Sequence, residues 1–143
     1  MKLAFRRGAP LNATLWQKFT CWVIKARLVS QYCHGGVVID GSLYHATAKR
    51  GLHVLGPTEW SPKNWDIFEV GGDDALALKN FAQFKGAKYD WFSLLAFVGL
   101  YARDSRRFYC FDWQFFAKTG KMAKNRVTPE SLISGSFLYV NGK

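Results

Sequence analysis

An Asp-Gly pair at positions 40–41 constrains this chain more tightly than any other feature. Before it stand Val37, Val38 and Ile39, and after it Leu43-Tyr44-His45-Ala46. Asp-Gly between two β-prone runs predicts a two-residue hairpin. Residues then pair where their numbers sum to about 81, so His34 lies roughly opposite Thr47. His34 and His45 are offset from their partners by even steps and share one face of the hairpin. Two imidazoles so placed suit a general base and the residue that orients it. Taken alone, the spacing fits two unrelated, partly buried histidines better.

The remaining pattern predicts an α+β chain. Lys2 to Phe5 reads as a short strand, and Pro10 or Asn12 opens a helix to about Val29. That helix places Leu15, Trp16, Phe19, Trp22, Val23 and Ala26 at a spacing that suits a core face. Gly51 to Leu55 and Trp65 to Val70 read as further strands. Helices are expected over Ala75 to Phe84, from Tyr89-Asp90 to about Tyr101, and from a Ser105 cap to Gly120. Thr128-Pro129-Glu130-Ser131 reads as a helix start, and Phe137 to Val140 as a closing strand. The expected architecture is an antiparallel sheet packed against several helices. At 143 residues without a linker-like stretch, residues 1–143 read as a single domain.

Twenty Lys and Arg against ten Asp and Glu give a net charge of +10. The excess favours an anionic polymer, a lipid surface or nucleic acid as partner. Lys118, Lys121, Lys124 and Arg126 form a local run without an acid. Polar residues from Asn12 to Thr20 interrupt any secretory signal, and the apolar run Trp91 to Ala102 is too short to span a bilayer. Cytoplasmic folding is therefore expected. The size and charge also suit a phage-encoded protein, carried in a virion or delivered to a cell wall.

Three cysteines without a C-x-x-C fit neither a disulfide framework nor structural zinc. No cofactor or metal is expected. Cys21 reads as a core residue and Cys33 as structural, facing away from His34. Cys110 differs, because it stands near a predicted helix start after Arg106 and Arg107. Both features lower a thiol pKa, so Cys110 is expected to be the most acidic thiol and a nucleophile. A small core residue is the competing reading. His53 is expected in a surface loop.

These segments resemble the motifs of NlpC-type papain-fold cysteine peptidases. His34-Gly35-Gly36-Val37-Val38-Ile39 resembles their "His-Val-Gly-Ile" strand, and Leu43-Tyr44-His45-Ala46 their following "Ile-His-Ala" strand. Gly86-Ala87-Lys88-Tyr89 resembles their Gly-x-x-Tyr segment. Phe108-Tyr109-Cys110-Phe111-Asp112 resembles the start of the nucleophile helix, and Thr128-Pro129-Glu130-Ser131-Leu132 a "Thr-Pro-x-x-Leu" element. The order His, His, Tyr, Cys is similar to the circularly permuted branch, with its YiiX-like hydrolases and the lecithin:retinol acyltransferase group. Gly35 departs from the family's branched residue, and Phe111-Asp112 from its Ser-Glu.

The resemblance implies a permuted papain-like fold with Cys110 as nucleophile, His34 as general base and His45 orienting His34. Tyr89 is a possible oxyanion or substrate contact, beside the Cys110 backbone N–H. It further implies a thioester intermediate on an amide or ester bond, most simply that of a cell-wall peptide, as in a peptidoglycan endopeptidase or amidase. A lipid acyl hydrolase or acyltransferase is the alternative within the same fold. A non-catalytic basic protein that binds nucleic acid or serves structure is the alternative outside it. The sequence leaves the oligomeric state open.

Overall fold

The structure, a computed structural model, describes residues 1–10, 12–90, 107–123 and 127–140, the last six of these as backbone alone. Its elements are β1 (Lys2–Arg6), α1 (Leu15–Leu28), β2 (His34–Ile39), β3 (Ser42–Thr47), β4 (Gly51–Leu55), a 3₁₀ turn (Pro62–Asn64), β5 (Trp65–Glu69), α2 (Asp74–Phe84), α3 (Cys110–Thr119) and α4 (Pro129–Val140). The five strands form one sheet in the order β4-β3-β2-β1-β5, every pair antiparallel. The chain is α+β, as its pattern predicts.

The hairpin carries the expected register. Gly36 pairs with His45 and Val37 with Tyr44, each pair summing to 81. Asp40 and Gly41 both hold positive φ, 48° and 76°, the left-handed pair that a two-residue hairpin needs. Register then sorts the sheet into two faces. Leu3, Phe5, Val37, Ile39, Ala46 and Leu52 join the main core beneath α3. Ala4, Val38 and Leu43 face the other way, under Trp60 and Trp65.

Helix ends follow local chemistry. Thr14 caps α1 with a reciprocal capping box to Gln17, and Asp73 accepts from Ala75 and Leu76 at the start of α2. Thr128 and Ser131 cap each other at the start of α4. That helix runs on through Val140, where a strand is expected from Phe137. A short apolar run has no period of its own, so the preceding cap decides its state. The expected helix from Tyr89-Asp90 to Tyr101 and the Ser105 cap lie largely outside the described residues. Cys110 is the first residue of α3, with Tyr109 as N-cap.

The cysteines correct the sequence reading. Cys21 on α1 and Cys33 before β2 form a disulfide, leaving Cys110 as the free thiol. Cys33 does face away from the histidines, into the main core. The pair is far enough apart in sequence, 12 residues, to escape a spacing rule, and only the docking of α1 on β2 brings it together.

Candidate active site

β2 and β3 supply the imidazoles. His34 Nε2 lies 2.9 Å from His45 Nδ1, and the rings meet edge to face at 5.1 Å. That bond uses Nε2 of His34 and leaves its Nδ1 for another partner. His53, expected in a loop, instead pairs with His45 across β3 and β4 and packs on its ring at 4.3 Å. Its Nδ1 donates to the Gly51 carbonyl, which settles its tautomer. Arg6 pairs with His34 in the β1–β2 register and lies over Trp65, 5.3 Å from the ring centroid.

Burial and crowding by cations set the charge state. His34 is held well below the ordinary histidine pKa, first by desolvation and then by His45, Arg6 and His53. His45 is lowered to about 3 by desolvation, with His53, Arg6 and Arg50 adding to it. Both rings are neutral at pH 7.

α3 supplies the thiol. Its start is fixed by a short parallel bridge between Tyr89 and Phe108, and by mutual hydrogen bonds of Tyr109 Oη with the Val127 carbonyl (2.6 Å) and N–H (3.0 Å). Phe111 and Gln114 then lie directly on Gly35, where any Cβ would collide with both side chains. Gly35 therefore does not leave loose packing beside His34; it admits α3. Gln114 donates to the carbonyls of Gly36 and Ala4, at 2.8 and 3.2 Å, and Trp113 Nε1 donates to that of Tyr44, at 2.9 Å.

The β2–β3 ladder begins at Gly36 and His45. One step beyond it, the Gly35 N–H lies near enough to the Cys110 sulfur to favour its thiolate. The N–H groups of Phe111 and of Cys110 itself converge on the same sulfur, and the Tyr89 hydroxyl donates to it. The thiol thus sits where β2 and β3 part, one residue from His34 in the strand. Among the described residues, the hydrogen bonds of His34 reach His45 and not Cys110.

The thiol contradicts one expectation. Burial pushes Cys110 up to about 12, against the lowering effect of the helix start and its N–H groups. It is a hidden thiol rather than the preformed thiolate that its position suggests, because desolvation inside an aromatic core outweighs partial charges. Tyr89 is likewise held well above its ordinary value, by burial and by the facing sulfur.

A cavity of about 370 Å³ adjoins this group. His34, Arg6 and Tyr89 line it, as do Ala46, the Cys21–Cys33 bridge and the first turns of α1. Cys110 is not in its wall; Tyr89 lines the cavity and also donates to the thiol. Of the acid-free basic run, Lys118 lies in the last turn of α3, about 12 Å along the helix from Cys110 at 1.5 Å per residue, and Lys121 just past the helix end; Lys124 and Arg126 lie outside the described residues. The cations beside the site are Lys49, Arg50, Lys88 and Arg107, around a second cavity that also touches Tyr89. Sequence reasoning missed these, along with Arg6, His53 and Gln114. The only signal for Arg6 and His53 is their register opposite the two catalytic candidates.

Compared with family models, curated proteins and solved structures, the chain matches none. Among the described residues, no helix is long and apolar enough to cross a membrane, and no cluster of three or more metal-ligating side chains occurs.

Proposed function

We propose that the chain is a thiol hydrolase of the papain-like class, built in permuted order. In particular, Cys110 attacks the acyl carbon of an amide or ester, with His34 as base and His45 orienting it. The observation that carries this reading is the 2.9 Å bond between His34 and His45 beside a helix-start cysteine on which N–H groups and the Tyr89 hydroxyl converge.

The neutral, buried pair makes the first step concerted. The Cys110 proton passes to His34 Nδ1 as sulfur bonds to carbon, so no free thiolate accumulates. His34 must then carry its own proton on Nε2 and donate it to His45 Nδ1, which puts the His45 proton on its Nε2. The leaving amine or alcohol takes the proton from His34, and a thioester remains. Water, deprotonated by His34, cleaves that thioester, releasing the acid and restoring the thiol; an alcohol or amine in its place gives transfer. Entry of substrate requires Tyr89 to move off the sulfur.

A cell-wall peptide is the substrate that the resemblance implies. The cavity wall favours the acyl-lipid alternative, since Ala9, Pro10, Trp16, Ile24, Ala46 and Ala48 offer an acyl chain an apolar surface. The Cys21–Cys33 bond suits an oxidising environment, which favours delivery outside the cytosol.

Incubation with a p-nitrophenyl acyl ester and intact-mass analysis tests the chemistry. An acyl adduct, lost in Cys110→Ser and slowed at least about a hundredfold in His34→Ala, is expected. An adduct that forms equally well in His34→Ala would sink the base assignment. No adduct, with salt-sensitive nucleic-acid binding unaffected by Cys110→Ser, would favour the non-catalytic reading.

A further inference from the structure

α1 turns Ile24 and Leu28 to the core and its opposite face to solvent. Leu15 is 84% exposed, Trp16 65%, Phe19 52% and Trp22 65%. Leu15, Phe19, Trp22 and Ala26 recur at steps of four, three and four residues, one line along the helix. Trp16 packs on Phe19 at 5.7 Å and Phe19 on Trp22 at 6.1 Å, so the ridge is continuous. Lys18 and Lys25 flank it, and the helix contains no acidic residue. An aromatic ridge of this size left in water marks an interaction surface.

One end of the ridge reaches the cavity, through Trp16. Trp16, Gln17 and Thr20 of α1 form part of its wall. Ala48 and Tyr89 are shared with the second cavity, whose lining of Lys49, Arg50, Lys88 and Arg107 includes no acid. Trp16 and this group of cations therefore line adjoining cavities.

The geometry points to an anionic lipid bilayer as the occupant of this face. Trp and Phe settle at the boundary between headgroups and acyl chains, while lysines beside them meet anionic headgroups. α1 lies in that plane, and Trp16 joins it to the cavity wall. A second copy would bring like-charged faces together on a chain of net charge +10. A nucleic acid would satisfy the cations but leave Leu15 and the ridge without an apolar partner. The surface rests on the proposed function for its purpose, presenting an acyl chain to Cys110, and its binding is separable from that chemistry.

The test is flotation of the oxidised full chain with phosphatidylcholine vesicles, with and without 30% phosphatidylserine. Binding should need phosphatidylserine and weaken as salt rises. Phe19→Gln with Trp22→Gln, and separately Lys18→Glu with Lys25→Glu, should each lower the partition coefficient at least about tenfold, with circular dichroism unchanged. Cys110→Ser should bind as the parent does. No flotation with either vesicle, flotation unchanged in both double variants, or a dimer that disappears in Phe19→Gln/Trp22→Gln would each overturn the proposal. A parent chain that floats but forms no thioester loses the hydrolase reading alone. One that acylates on a soluble ester but does not float loses the docking surface alone.

Discussion

α1 and α3 are both rich in aromatic residues, and the fold treats them oppositely. Trp16, Phe19 and Trp22 of α1 stand in solvent, whereas Phe111, Trp113 and Phe116 of α3 are almost wholly buried. The spacing of α1 suggests a core face, yet its buried residues are Ile24 and Leu28, on the opposite side. α3 is enclosed because it lies across the sheet and against α2. Trp113 and Phe116 meet Phe81 and Phe84, and Gly35 lets the helix backbone approach. Aromatic content thus says that a face is sticky. Whether protein or another surface covers it depends on which elements the topology leaves free.

The largest effect should separate the two helices by stability. Trp113→Ala should cost about 3–5 kcal/mol in urea unfolding, through a cavity and an unpaired Tyr44 carbonyl, whereas Trp22→Ala should stay within about 0.5 kcal/mol. Similar losses would mean that α1 is packed after all, and the contrast would fail.

Reduction of Cys21–Cys33 should remove about 3 kcal/mol by the loop-entropy relation for a 12-residue separation. Hydrogen exchange should then rise over α1 and leave α3 protected. Uniform deprotection would show that the bridge staples the whole fold and not one helix. Cys33→Ser should keep its acyl-enzyme chemistry where the reduced protein stays folded, since the sulfur faces away from His34.

Gly35→Ala should cost about 1–3 kcal/mol by overpacking against Phe111 and Gln114. Gly8→Ala, with open space around it, provides the control. Equal stability of the two variants would contradict the close seating of α3.

The smallest effects per step should come from pH. His45, lowered to about 3 from 6.5, binds fewer protons folded than unfolded, so stability falls as pH drops below about 6.5. Cys110, raised from 9.0 to about 12, binds more protons folded than unfolded, so stability falls as pH rises above about 9. Each group contributes at most about 1.4 kcal/mol per pH unit, leaving a plateau between these limits. Iodoacetamide labelling of Cys110 should be slow at pH 8 and rise about tenfold per pH unit. Fast labelling at pH 7 would restore the accessible, acidic thiol that the helix start suggests.

The site was partly legible in the residues. Asp40-Gly41 set the hairpin register, and with it the shared face of His34 and His45, because a two-residue turn leaves no freedom in pairing. The helix start beside Cys110 was legible to within a turn. The thiol's protonation was not, since it depends on how much core closes over the sulfur. The bridge between Cys21 and Cys33 and the pairing of His53 with His45 also escaped notice, as both rest on contacts between separate elements.

By itself, then, the sequence determined what short-range geometry controls: strand alternation, the turn, the caps at Asp73 and Thr128, and the candidate trio of Cys110, His34 and His45; the starts of α1 and α3 fell at Thr14 and Tyr109, past the expected Pro10 or Asn12 and Ser105. Tertiary structure alone decided which aromatic helix was buried, which cations line the cavities, and that Cys110 is held as a buried thiol in contact with Tyr89. The physical reason is range. Turns and caps are closed by neighbours a few residues apart, whereas desolvation and exposure are set by elements that meet only after the chain has folded.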